Sequence, residues 1–153
     1  MDDVVIARAL HVLAVVHWIG GVALVTLVVL PAVRAADPSS RMELFEAIER
    51  RFSAQARVSV PLAGLTGAWM ADRLDLWGRF VDPAAWWLGA MVLVWLVFMA
   101  ILFAIEPFIV RDSFRRRVLS DSDAAFRLVQ RAHWVLLAAA VIAAAAGVIG
   151  VHG

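Results

Sequence analysis

No cysteine or tyrosine occurs in the 153 residues, and lysine and asparagine are missing as well. Without cysteine there is no disulfide framework, no Cys-x-x-Cys zinc site, no iron–sulfur cluster and no thiol chemistry. Every basic residue is arginine. Arg and Ala have GC-rich codons, whereas Lys, Asn and Tyr have AT-rich ones, a bias that fits a GC-rich bacterial genome. Charge is scarce: 18% of the residues are Asp, Glu, Lys or Arg, and the formal net charge is +1. A nucleic-acid binder needs a clustered basic face, which this balance does not supply. No nucleophile triad, phosphate loop or zinc-protease motif is present either.

What is abundant is apolar. Hydrophobic residues make up 63% of the chain, against about 45–50% in a typical soluble domain. One soluble domain of this size cannot bury that much apolar surface, and disorder requires the opposite composition. The bilayer is the solvent that fits. Four apolar stretches mark all-α architecture, a four-transmembrane-helix bundle with spans near 5–33, 52–71, 83–110 and 126–151. A span needs about 20 residues at about 1.5 Å each. The second stretch meets that length only by admitting Gln55 and Arg57 near one end. Asp2 and Asp3 before a long apolar run point to a retained first helix, not a cleaved signal peptide.

Arginine sets the expected orientation. Only Arg8, Arg73 and Arg79 fall on one side; all the others fall on the side of the first and third loops. The positive-inside rule makes that side cytoplasmic and both termini exterior, in a multi-pass protein of the bacterial inner membrane. In the first cytoplasmic loop, Ser40 and Glu43 have capping-box spacing. Met42, Phe45, Ile48 and Phe52 follow at helical spacing, so a short interfacial amphipathic helix is expected before the second span. Its Glu46, Glu49, Arg50 and Arg51 would face headgroups or water. Arg115-Arg116-Arg117 in the third loop reads as an anionic-lipid contact or as a solvated topology signal. Trp69, Trp77, Trp86 and Trp87 cluster at the opposite interface, as a tryptophan belt does.

The residues able to carry chemistry are few. His11, His17, His133 and His152 are the only imidazoles, and ionisable groups within spans usually face the bundle interior or a water path. Each is a candidate cofactor ligand or a hydrogen-bonded structural residue. His11 and His17 stand six residues apart, about 240° around a helix, so they cannot chelate one ion from the same helix. A ruler of about 1.5 Å per residue puts His11 and His152 at one level, about 15 Å toward the exterior. By the same ruler His17 and His133 miss each other by about 20 Å. Gly20 and Gly21 follow His17 and strip its face of side chains, leaving room for a porphyrin or for a neighbouring helix. Gly64-x-x-Gly67 and Gly147-x-x-Gly150 are further places of close approach. Arg57, Glu106, Arg131 and His133 gather near the cytoplasmic edge as an ion cluster. Thioether and imidazole suit copper, so His11, His152, Met70 and Met91, with Met1 nearby, form a candidate copper set.

Arg8-Ala-Leu-His11 and Trp18-Ile-Gly-Gly21 are followed by Phe45-Glu-Ala-Ile-Glu-Arg-Arg51 and Ala63-Gly-Leu-Thr-Gly67. On these residues the chain resembles the CopD/HemJ-like group of small four-helix membrane proteins. The resemblance implies one of two chemistries: copper handling across the inner membrane, or haem b and protoporphyrinogen oxidation. His11 corresponds to the first-helix histidine of both patterns. Where the HemJ pattern has His-x-Lys, this chain has Gly89-Ala90-Met91, which argues against protoporphyrinogen oxidation.

Three expectations result. The first is a haem b-binding electron-transfer protein with histidine ligands, whose partners are the bilayer and a quinone or redox protein. The second is a CopD-like copper-binding or copper-transport protein. The third is a cofactor-free structural or assembly subunit. The glycine faces also permit a homodimer.

Overall fold

The computed structural model describes residues 3–152, side chains at 107–112, 115, 151 and 152 excepted, and it is all-helical over them. The first helix, α1, runs unbroken as Asp3–Leu24, a π-helical turn Val25–Val29, and Leu30–Ala35. A turn at 36–40 leads into α2, Arg41–Arg73. Short 3-10 turns at Trp77–Val81 and Pro83–Ala85 lead into α3, which joins Trp86–Ala100 to a π-helical part, Ile101–Val110. The last two helices are α4, Arg111–Ser120, and α5, Ser122–His152.

The four long helices form a ring: α1 lies along α2, α2 on α3, α3 on α5, and α5 closes back on α1. Three helices are long and apolar enough to cross a membrane: Asp3–Ala35, Pro83–Glu106 and Ser122–Gly150. The fourth, α2, has the length but carries Arg50, Arg51, Gln55, Arg57, Ser59 and Thr66 along it. Large apolar residues cover the outside of the ring, among them Leu13, Leu65, Val135 and Ile149. A water-soluble monomer rarely shows so continuous an apolar surface.

Two local expectations are corrected. The expected interfacial helix and second span are not separate elements, because 41–73 is one helix without a break, and it is not among the three apolar enough to cross a membrane. No capping box forms either: the Ser40 hydroxyl donates to the Asp37 carbonyl (3.0 Å) instead of capping the helix. Ser40 N bonds the same carbonyl at 2.9 Å, so the turn holds Ser40 in a helical conformation that turns its hydroxyl back.

A proline accompanies each π-helical segment, although Pro61 sits within the regular helix of α2. Proline has no N–H, and its ring crowds the carbonyl four residues earlier. Widening the preceding turn by one residue relieves that clash. Pro31 follows the first π turn, and Pro107 lies within the second. In α1 the slip moves the Leu30 N–H onto the Val25 carbonyl. The Thr26 carbonyl is thereby released, and Gln130 Nε2 of α5 donates to it at 2.7 Å, fully buried. The π turn thus frees the carbonyl at which α1 and α5 are pinned, by residues 104 apart in sequence.

The core is layered along the bundle. In the middle, Trp18 of α1 meets Phe98 of α3 edge-on, ring centroids 4.8 Å apart, among small residues such as Ala14, Ala56, Ala63 and Ala140. At the Arg-rich end, Phe45, Phe114 and Phe126 form a triangle with centroids 5.3–5.6 Å apart, which fastens α4 over α2 and α5. At the Trp-rich end, Trp87 and Leu88 pack with Met91 and Phe80.

Candidate functional site

The Trp-rich half is closed. Gly64 is covered by the Trp95 indole, which fills the place where a Cβ would be. That indole donates to the Val60 carbonyl at 2.8 Å. Gly67 is met by His11, Gly147 by Met91, and Gly150 by Trp87. Gly64, Gly67, Gly147 and Gly150 are thus notches filled by this chain's own side chains, whereas Gly20 is open. Trp69, Trp77 and Trp86 are exposed at the rim, as an interfacial belt requires, but Trp87 is buried against Gly150. Arg73 stacks over Trp69 at 4.8 Å and pairs with Asp3 at 2.9 Å, tying α2 to the start of α1.

The Arg-rich half is open. Between the helices lies a cavity of about 540 Å³, within the size range of small-molecule and cofactor sites, about 300–1,000 Å³. Both π-helical segments border it, through Val25 and Val29 of α1 and Ile101, Leu102, Ile105 and Glu106 of α3. Its deep wall is apolar, with Trp18, Val22, Phe52, Phe98 and Leu136. Its mouth is polar, with Glu46, Glu49, Arg50, Ser53, Arg57, Glu106 and His133.

Three polar features of this cavity bear on chemistry. The first is a four-residue cluster. Arg57 Nη2 donates to Glu106 Oε1 at 3.0 Å, and Ser53 Oγ lies 2.8 Å from Glu49 Oε1 and 3.2 Å from Glu106 Oε2. A hydroxyl has one proton to donate, so Ser53 completes both contacts when one carboxyl carries a proton and donates to it. One arginine and one hydroxyl between two carboxyls make a group able to hold and pass a proton.

The second feature is His133. A carbonyl can only accept, so its Nδ1–H donates to the Val129 carbonyl (3.0 Å) and Nε2 keeps its lone pair. A ring fixed in this way by a backbone carbonyl is a common setting for a metal-ligating imidazole. The third is Trp18, which is 6% exposed and whose Nε1–H has no hydrogen-bond partner. A buried donor left unpaired costs about 1–3 kcal/mol.

The expected site residues fall in separate places. His11 sits in the seam between α1 and α2; its Nδ1–H donates to the Ala63 carbonyl at 2.8 Å, with Thr66 Oγ1 at 3.2 Å. His17 points outward, away from the ring. Among the described histidine side chains, His133 alone lines the cavity. The side chain of His152 lies outside the described residues, as does Met1. Met91 belongs to the seam between α3 and α5, while Met70 is half-buried near the end of α2. The described contacts of His11 and Met91 share no residue. No group of three or more His, Asp or Glu able to hold a metal ion occurs among the described residues.

The expected ion cluster at the Arg-rich edge is present in part. Arg57 and Glu106 pair and His133 lines the same cavity, but Arg131 is exposed outside it. Sequence reasoning placed Glu49 toward headgroups or water and passed over Ser53 and Trp18. The available signal was the spacing of Glu49, Ser53 and Arg57 at i, i+4 and i+8, which puts them on one helix face.

Comparison with known protein families, with curated proteins and with solved structures gives no match for this chain.

Proposed function

We propose that the chain is a four-span protein of a bacterial inner membrane that binds haem b in the cavity of its Arg-rich half, where His133 would hold the iron. The observation that carries this reading is a single cavity uniting a carbonyl-oriented imidazole, a flat apolar wall and two arginines. The fit follows from the chemistry of the group. A porphyrin is planar and apolar, so Phe52, Phe98 and Leu136 suit its faces. Its propionates are anionic, so Arg50 at the mouth suits them, beside Glu46 and Glu49, while Arg57 is engaged by Glu106. Bundle cores between helices are common cofactor sites. In this reading α2 is the fourth span, its polar face turned to the cavity, and the Arg-rich end faces the cytoplasm. The CopD/HemJ-like resemblance of the first two helices agrees with it, although there His11 and not His133 corresponds to the pattern's histidine.

Bound haem would supply one-electron redox chemistry, tuned by its axial ligand and by burial. The protein's own part is to hold the group with His133, keep water from one wall with Phe45 and Phe114, and buffer charge with Arg57, Glu106, Glu49 and Ser53. A carboxyl pair able to hold a proton beside the cavity suits electron transfer to a quinone, which takes up protons as it is reduced. Absorption spectroscopy tests the reading directly. Protein purified from haem-replete cells should show a Soret band that shifts on reduction. Colourless protein that gains no Soret band on haem addition would show the proposal to be wrong.

A further inference from the structure

His17 is the anomaly that the cavity does not absorb. It belongs to a helix of 33 residues, Asp3–Ala35, long and apolar enough to cross a membrane. It lies within about 3 Å of that helix's midpoint along the axis. It is exposed, and no hydrogen bond holds it among the described residues. Around it on the outward face stand Leu13, Val16, Leu24 and Leu27, each more than half exposed. An imidazole held at mid-depth against hydrocarbon has neither water nor a protein group to pair with, and polar groups there are costly.

Gly20, one turn further along the same face, gives the second observation. A Cβ built there meets nothing within 4 Å, whereas one at Gly21 would strike the Phe52 ring. Gly21 therefore serves contact within the chain, and Gly20 serves no contact within it. A bare glycine beside an unpaired histidine allows another helix to come close enough for an interhelical hydrogen bond.

The chemistry of the face selects its occupant. A neutral imidazole offers one donor and one acceptor, so it is complementary to itself. Two copies related by a two-fold axis pair the same patch with itself. Each His17 can then bond its counterpart, with Gly20 against Gly20 and the leucines closing around them. No anionic or cationic side chain is exposed on this part of the face, so nothing there calls for a charged partner. We propose that the His17–Gly20 face of α1 is a homodimer interface in the bilayer, built on a His17–His17 hydrogen bond.

The absence of cysteine makes this testable, because an introduced thiol is the only one in the chain. In native membranes under mild oxidation, Leu13→Cys, Gly20→Cys and Leu24→Cys should each give disulfide-linked dimers. Val58→Cys on α2 and Val135→Cys on α5, both exposed on other faces, should not. In bilayers, His17→Leu should weaken dimerisation about three- to thirty-fold, the range spanned by interhelical hydrogen bonds. Gly20→Leu should also weaken it, and it leaves the fold of one chain intact because the position is open. Equal cross-linking on all faces, or no cross-linking at 13, 20 and 24, overturns the interface. An unchanged dimer with His17→Leu overturns the hydrogen bond at its centre. The inference stands apart from the cavity and survives whatever the cavity binds.

Discussion

The two halves of the bundle use the same helices in opposite ways. Toward the Trp-rich end, glycines on α2 and α5 are filled by Trp95, His11, Met91 and Trp87, and little space remains. Toward the Arg-rich end, two helix ladders slip into π geometry and a cavity of about 540 Å³ stays open. The Trp-rich half shows how a chain low in polar residues holds helices together: small residues admit large ones, and indole and imidazole N–H groups bond backbone carbonyls across the seam. The Arg-rich half shows where such a chain can place chemistry, which is where the regular ladder is broken and polar side chains meet an apolar wall. In bilayers, irregular backbone is tolerated where it lines a cavity or is satisfied by a neighbouring helix. Gln130 on the Thr26 carbonyl is an instance of the second.

The contrast predicts a graded set of responses. The largest belongs to the closed half. Gly64→Leu drives a side chain into the Trp95 indole and breaks its bond to Val60, costing about 3 kcal/mol. Gly20→Leu, measured in detergent at monomer dilution, should stay within about 0.5 kcal/mol. Comparable losses at the two glycines in an unfolding titration would erase the distinction between a filled and an open notch. Next comes the ion cluster of the open half. Arg57→Gln leaves two carboxyls around Ser53 without their cation and should cost about 2 kcal/mol. A double-mutant cycle with Glu106→Gln should return about 1–2 kcal/mol of coupling. Zero coupling would mean that the pair is merely adjacent.

A smaller effect of opposite sign is expected at the boundary between the halves. Trp18→Phe removes an unpaired buried donor, so the protein should gain about 1 kcal/mol of stability. Loss of stability in the free protein would show that the indole N–H is already satisfied. The smallest effect is at the rim. Arg73 and Asp3 are both half exposed, so Asp3→Asn should change stability by no more than about 0.5 kcal/mol.

Much of the fold was legible in the sequence, for simple reasons. Uncharged runs from Ala9, from Pro83 and from Ala132 mark the three apolar helices, because length and hydropathy alone define a span. Continuity from Arg41 to Arg73 was not legible. Arg50, Arg51, Gln55 and Arg57 look like a boundary until a cavity is known to receive that face. The glycine notches could be identified as sites of close approach, but not their occupants, which come from other helices. The outward direction of His17 was hidden for a different reason: a helix apolar all round has no stripe to reveal its inner face. The cavity itself depends on where the helix ladders slip into π geometry and on what meets the Thr26 carbonyl, and neither is a local property.

The central claim is that the Arg-rich half holds the cofactor and that the histidine of the closed half is structural. Replacing one imidazole at a time and reading bound haem from the Soret band tests it most directly. The account predicts that His133→Ala loses the band, whereas His11→Ala and His17→Ala keep it. Retention of the full band by His133→Ala, with its loss in His11→Ala, would contradict the account and move the site to the seam between α1 and α2.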